Sequence, residues 1–320
     1  MIFNLFKCLA VQLVVGIILL GVMSVLLCIS YSKEYALRFL EITVLDMNGL
    51  GVWCCGVGLM FYVTKHGKEI AQDLNMVFTP SKAIFDVISK IEKSTLHKKG
   101  IFITGPVTLV GVFLTFHYTA PHYGASAFII YAAVVFIYYT ASFLLYHFCM
   151  IIAAFNSVYR DAEGLQIEKD VNGFNLENVS SYLSLTSTVG LLAIYFGFRG
   201  TVTAGFSYSN PIWEYFLVTP LILFLPGTFF YNFYPRHVLK KIFQYKIFSK
   251  LLSITTKDDL DIKNSILEIK EASLLNSQIA PFADYKNIPS YLVGIMFLLN
   301  VVFAHDPAIK EFIAKFLQID

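Results

Sequence analysis

Long stretches without charged residues alternate with short charged segments along this chain. The windows free of Asp, Glu, Lys and Arg are Cys8–Ser32, Met47–Thr64, Gly100–Tyr159, Asn178–Phe198, Tyr215–Pro235 and Asn287–His305. A helix needs about 20 apolar residues to cross a bilayer, and a charge at the bilayer centre is costly. The pattern therefore predicts an all-α polytopic membrane protein.

The window Gly100–Tyr159 is long enough for two crossings, and the breakers at 119–124 (Thr-Ala-Pro-His-Tyr-Gly) supply the turn between them. We predict spans at about 9–31, 44–64, 101–118, 126–155, 182–198 and 213–233. A seventh apolar segment, at about 290–304, is short and follows Pro289. Whether it crosses, and hence on which side the C-terminus lies, stays open.

The basic residues between the spans predict an orientation. With the N-terminus in the cytoplasm, 19 Lys and Arg residues of the N-terminal and connecting segments fall inside and three fall outside. Cytoplasmic loops carry the excess of Lys and Arg. We expect a multi-pass membrane protein with a cytoplasmic N-terminus.

Two cytoplasmic segments have helical periodicity. Residues 79–97 predict an amphipathic helix that starts with Thr79 as N-cap and Pro80 as first helical residue. Its apolar face carries Ile84, Val87, Ile88 and Ile91. Residues 236–286 predict a basic helical hairpin that breaks at 253–257. We divide the chain into a transmembrane helical domain (1–235), this hairpin (236–286), and a C-terminal apolar segment with an amphipathic tail (287–320).

Composition excludes several classes of protein. The 320 residues are 57% hydrophobic and 14% charged, whereas soluble domains have about 25% charged residues. No P-loop, zinc-protease, nucleophile-elbow or dinucleotide-binding motif occurs. The five cysteines lie in apolar windows without metal-ligand spacing. We expect neither enzymatic activity, nor a cofactor, nor a metal.

A row of hydroxyl groups follows helical spacing in the fifth predicted span. Hydroxyls that bond to their own helix are the ordinary explanation. Neutral oxygen dipoles that line a pore are the functional one. The pore-lining candidates are Ser180, Ser184, Ser187, Thr188 and Tyr195.

Prolines interrupt the sixth predicted span, and they indicate either a static kink or a hinge. The hinge candidates are Pro220, Pro226, Gly227 and Pro235.

In the second span, small residues spaced by four (Gly51/Cys55 and Cys54/Gly58) permit close helix approach, either within the chain or between subunits.

Cationic and aromatic residues interleave after the sixth span. They suit anionic lipid headgroups, or a phosphate-bearing ligand with base stacking on an aromatic ring. The ligand candidates are Arg236, Lys240, Lys241, Tyr245, Lys246 and Lys250. The window Gly100–Tyr159 contains three histidines. His117 and His122 flank the outer turn, where interfacial packing is expected, and His147 predicts a hydrogen bond between helices or, less readily, a proton relay.

The junction from Phe229 to Lys241 leads from an aromatic span through Pro235 and His237 into a charged helix. Together with the returning apolar segment 284–304, it resembles small polytopic membrane effectors of bacterial anti-phage defence systems. In size and layout the chain is similar to the Hailong-type effector. That resemblance implies oligomerisation, ion conduction, and control by oligonucleotides from a partner nucleotidyltransferase.

These observations lead to one functional prediction and two alternatives. We expect a homo-oligomeric, channel-like effector that depolarises the membrane and is gated from the cytoplasm by a nucleotide, an oligonucleotide or a partner protein. We expect contact with membrane lipid and none with double-stranded nucleic acid. A secondary transporter, or a membrane anchor for a soluble partner, would also fit the pattern.

Overall fold

The fold is described from a computed structural model, which is almost entirely helical and has no strands in the part of the chain it describes. The described residues are 2–30, 32–45, 47–78, 82–94, 102, 104–106, 108–109, 128–160, 176–203, 225–254, 259–277 and 287–305. The all-α prediction is confirmed for these residues. The helices are α1 (Ile2–Ser30), α2 (Lys33–Leu40), α3 (Asn48–Val52), α4 (Gly58–Val77), α5 (Lys82–Lys93), α6 (Phe128–Arg160), α7 (Glu177–Thr203), α8 (Leu225–Ile254), α9 (Asp259–Ser277) and α10 (Ile288–His305).

Three described helices are long and apolar enough to cross a membrane. These stretches are Ile2–Ser30 in α1, Tyr139–Arg160 in α6 and Asn178–Gly197 in α7. They make this a membrane protein, as the charge-free windows predict. The third predicted span (101–118) lies almost wholly outside the described residues, and so does the first half of the sixth (213–233). A count of six or seven spans stays a prediction.

The second predicted span, 44–64, is not one regular helix. Its path contains α3 and two π-helical turns, Glu41–Leu45 and Trp53–Val57, before α4 begins. Met47 has a φ of 61°, in the left-handed region that side chains other than glycine seldom adopt. Helix α4 then continues to Val77, well beyond the predicted end of the span. Hydropathy predicts that a segment is apolar, but not that its helix breaks.

The small residues of this segment pack against other helices of the same chain. A Cβ atom added at Gly58 would lie 2.9 Å from Leu9 Cδ2 on α1, and the Cys54 thiol donates to the Leu9 carbonyl at 3.1 Å. A Cβ added at Gly51 would lie 2.4 Å from the Phe196 ring on α7. These contacts are intramolecular, so the structure favours the first of the two explanations for the small-residue spacing.

Helix α5 has the amphipathic character that its sequence predicts. Ile84, Val87 and Ile91 are buried, whereas Phe85 is exposed. The helix packs against α4 and α6. Thr79 and Pro80, the predicted cap, lie outside the described residues.

Helix α8 runs without interruption from Leu225 to Ile254 and includes Pro235. The predicted domain boundary at 235/236 therefore falls inside one helix. Helix α9 packs against α8, and its Ser265 and Ala272 are buried. This is the pairing that the predicted hairpin requires. The tail 306–320 lies outside the described residues.

Candidate functional site

A buried polar seam joins α7, α8 and the start of α10. Its members are Ser180, Ser184 and Thr188 on α7, Asn232 and Arg236 on α8, and Asn287 and Ser290 at the beginning of α10. Apart from the partly buried Thr188, they are all buried. Buried polar side chains are costly unless their hydrogen bonds are made, so the bonds of this seam determine how the three helices fit together.

The carbonyl oxygen of the Asn287 side chain is the centre of the seam. It accepts hydrogen bonds from Arg236 Nη1 at 2.6 Å, Ser184 Oγ at 3.0 Å and Asn232 Nδ2 at 3.2 Å. Asn232 and Arg236 are four positions apart on α8, so both side chains lie on the same face of that helix. One acceptor therefore ties α10 to both α7 and α8.

Arg236 is the largest of the fully buried side chains among the described residues, with 1% of its surface exposed. Besides its bond to Asn287, its Nη2 donates to the main-chain carbonyl of Ser180 at 2.5 Å. The fork of the guanidinium holds two acceptors from two helices at once, which a lysine ammonium cannot do with the same geometry.

The seam continues one turn further along α7 and α10. The hydroxyls of Thr188 and Ser290 are 2.6 Å apart, and Thr188 Oγ1 also donates to the Ser184 carbonyl at 2.8 Å. Helix α10 thus follows α7 in parallel for at least one turn. The aromatic rings of Phe233 and Tyr291 stack beside it with centroids 5.9 Å apart.

The predicted pore-lining residues divide into two groups in this structure. Ser180, Ser184, Ser187 and Thr188 face α8 or α10, and Ser187 Oγ lies 3.5 Å from the Thr228 carbonyl. Tyr195 does not join the seam, and its half-buried ring contacts Phe196. In the single chain these four hydroxyl-bearing residues face other helices, and pore lining stays a prediction.

The ligand candidates divide in the same way. Arg236 does not lie on an exposed basic face, because its guanidinium is used inside the seam. Lys241 and Tyr245 are exposed, whereas Lys240 and Lys246 are half-buried. Lys250 belongs to α8, but its side chain lies outside the described set. Sequence spacing grouped Arg236 with the lysines that follow it. Its hydrogen-bond partners are 51 and 56 positions away in the chain, so local spacing does not reveal them.

The hinge candidates show no break where they are described. Pro226, Gly227 and Pro235 all lie within α8, and a Cβ added at Gly227 would meet no atom within 4 Å. Pro220 lies outside the described residues. A hinge that acts in a second conformation stays a prediction.

A second buried cluster surrounds His147 on α6. Its ring nitrogens lie 2.9 Å from Ser94 Oγ and 3.1 Å from the Tyr182 hydroxyl, and the Tyr231 hydroxyl is 3.4 Å from the same Nε2 atom. The interhelical hydrogen bond predicted for His147 is therefore present. It connects α6 to α7, to α8 and to the segment that ends α5. His117 and His122 lie outside the described residues.

Charged groups outside the apolar helices form a small network on α5. Lys90 Nζ donates to Asp86 Oδ2 at 2.6 Å and to Ser157 Oγ on α6 at 2.5 Å. The hydrogen bond from Lys90 lowers the pKa of the Asp86 carboxyl below its ordinary value. On α4, burial raises the pKa of Asp73.

Asn287 and Asn232 were missed by the sequence reasoning. A signal for Asn232 existed, because an amide four positions before an arginine in an aromatic helix predicts one shared polar face. Asn287 stands two positions before Pro289 at the start of an apolar helix, where an asparagine is expected to act as the N-cap. Among the described residues, no three His, Cys, Asp or Glu side chains could hold a metal ion.

Comparisons with known proteins add no relative. No family model, no curated protein and no solved structure matches this chain. Function therefore rests on the residues themselves.

Proposed function

We propose that this protein is an oligomeric, channel-like effector of the bacterial inner membrane, controlled from its cytoplasmic side. The observation that carries the proposal is the continuity of α8. One helix of 30 residues carries the buried seam near its middle and, beyond it, the exposed Lys241 with the half-buried Lys240 and Lys246. A helix of that length is about 45 Å long, so a displacement at one end reaches the other without an intervening joint.

In this proposal the hydrogen-bonded seam is the closed arrangement of α8. Arg236 and Asn232 hold α8 to Asn287, and Ser184 holds α7 to the same atom. A ligand that pulls on the basic end of α8 would move the donors relative to their acceptor. The hydroxyls of Ser184 and Thr188 would then lose partners and face water, which is the pore-lining role predicted for them.

The proposal includes a role in anti-phage defence and a partner nucleotidyltransferase that makes the ligand. Both rest on the resemblance of the 229–241 junction. Gating by a nucleotide, an oligonucleotide or a partner protein belongs to the same proposal. In this view, opening dissipates the membrane potential.

Planar-bilayer recording of the purified full chain tests the proposal. We expect unitary currents that increase when short oligonucleotides, such as triadenylate, are added on the cytoplasmic side. Size and mass measurements in detergent should give an oligomer. A monomer that stays silent with every nucleotide tested would overturn the channel function.

A secondary transporter is the second candidate, and one observation favours it. Ionisable residues buried among membrane helices often belong to substrate or ion pathways, and Arg236 is such a residue. Saturable uptake by proteoliposomes that disappears in Arg236→Gln, without unitary currents, would favour the transporter over the channel.

A further inference from the structure

A group of exposed basic and aromatic residues lies where the end of α6 meets α8. We name it the basic–aromatic cluster and define it as Tyr159, Arg160, Lys241 and Tyr245. All four residues are exposed. None of them takes part in the polar seam or in the His147 cluster.

Two contacts fix the geometry of this cluster. Lys241 Nζ lies 5.5 Å from the centre of the Tyr159 ring, within the range of a cation–π interaction. One turn earlier on α6 and two turns earlier on α8, the Tyr234 hydroxyl donates to Asn156 Oδ1 at 3.0 Å. The two helices are therefore held together at this level, and the lysine is positioned over the ring.

Arg160 adds a second cation at the end of α6. It follows Tyr159 directly and ends α6, and it lies within electrostatic reach of Tyr234. Tyr245 is four positions after Lys241, so the two side chains lie on the same face of α8. The cluster thus offers two cations and two exposed aromatic rings.

The charge of the two helices points to an anionic ligand. Neither α6 nor α8 contains an Asp or Glu, whereas α8 contributes the exposed Lys241 and the half-buried Lys240 and Lys246. Arginine presents a planar fork that matches phosphate oxygens, and lysine adds a point charge. Exposed tyrosine rings provide stacking surfaces that do not depend on base identity.

We infer that the basic–aromatic cluster is a phosphate-binding site, with Arg160 and Lys241 as the phosphate ligands and Tyr159 and Tyr245 as flanking rings. The phosphate can belong to a lipid headgroup or to a soluble nucleotide, and the chemistry of recognition is shared. The inference rests on the proposed function only for the idea of an anionic cytoplasmic signal. The inference assigns phosphate binding to Arg160, which the sequence did not single out, and no longer assigns it to Arg236.

The chain provides a matched control. Lys7 Nζ lies 5.4 Å from the centre of the Phe3 ring on α1, so Lys7→Gln removes an exposed lysine with the same cation–π contact from another position. Lys241→Gln and Arg160→Gln each remove one cation of the cluster and the same net charge as the control. All three side chains are exposed, so each variant should fold, which circular dichroism and size-exclusion profiles verify.

The experiment has two arms that separate the sources of phosphate. In the first, pyrophosphate and triadenylate are titrated into the full chain in neutral detergent by calorimetry. In the second, the chain is purified from membranes with and without phosphatidylglycerol, and retained lipid is counted by native mass spectrometry. Binding is measured without any current, so the proposed channel activity can fail while this inference stands.

We expect Arg160→Gln and Lys241→Gln to weaken phosphate binding about tenfold each, in one arm or in both, because each removes a charge-assisted hydrogen bond. We expect Lys7→Gln to match the wild type. A response in the first arm alone identifies a soluble ligand, and a response in the second alone identifies a lipid. Equal binding by all four proteins in both arms, or an equal loss in Lys7→Gln, overturns the inference. An Arg160→Gln protein that is less stable but binds phosphate as the wild type does also overturns the inference. Arg160 would then only stabilise the C-terminal end of its own helix.

Discussion

The Arg236 guanidinium donates to the Asn287 side-chain carbonyl at 2.6 Å, although the two residues are 51 positions apart in the chain. Both side chains are buried. Because a hydrogen bond to a charged group contributes about 1.5–3 kcal/mol, this contact is a main tie between α8 and α10.

Asn287→Ala should therefore lower the free energy of unfolding by about 2–3 kcal/mol, since it removes the acceptor that three donors share. Asn287→Asp keeps an acceptor and adds a countercharge, so it should retain most of the stability. Denaturant unfolding in detergent, followed by circular dichroism, measures both. Asn264→Ala, at an exposed position of α9, is the control. Equal midpoints for Asn287→Ala and Asn264→Ala would contradict the role given to Asn287.

The glycines of the second apolar segment give a second prediction. Gly51→Ala should cost about 1–3 kcal/mol, because the new Cβ would lie 2.4 Å from the Phe196 ring and force the helices apart. Gly21→Ala is its matched control, since a Cβ there meets nothing within 4 Å and alanine favours a helix by about 1 kcal/mol over glycine. Thermal unfolding of both variants compares them. A Gly51→Ala protein as stable as Gly21→Ala would show that this approach is not tight.

The His147 cluster predicts an effect on a distant element. His147→Phe keeps a ring but removes the bonds to Ser94 and Tyr182. The end of α5 should then open more often, and amide hydrogen exchange in residues 84–94 should accelerate by about tenfold or more. His237→Phe, at an exposed position of α8, should leave that exchange unchanged. Unaltered protection of α5 in His147→Phe would exclude the coupling.

The shifted pKa values of two aspartates predict effects of pH on stability that have opposite signs. The pKa of Asp86 is lowered by Lys90, so the stability it contributes is present above the ordinary carboxyl pKa and is lost as the pH falls through the lower folded value. The pKa of Asp73 is raised by burial, so its contribution is present below the ordinary pKa and is lost as the pH rises through the folded value.

Unfolding midpoints measured from about pH 3 to pH 6, across the ordinary carboxyl pKa, test this pair. Asp86→Asn should weaken the acid-side loss of stability, and Asp73→Asn should strengthen it. Because Asp86 is exposed, the first change should be small. Parallel pH profiles for the two variants would contradict the assignment.

The parts of the fold that sequence could predict are those with local causes. Continuous apolar windows predicted α1, α6 and α7, and the spacing of Ile84, Val87 and Ile91 predicted α5. Met47 shows the limit, because local hydropathy predicts neither its left-handed backbone nor the packing of the following α3 against α7. Arg236 shows the same limit at the site, since its environment is made by α7 and α10.

The Asn287 acceptor also has a consequence for how the chain is made. A ribosome synthesises Ser184, Asn232 and Arg236 before it reaches Asn287. While the chain is being inserted, α7 and α8 can already pair, but the acceptor that their polar side chains share has not yet been made. Assembly of this part of the protein is thus completed only when α10 arrives. A nascent chain released before Asn287 would carry three buried donors without their shared acceptor.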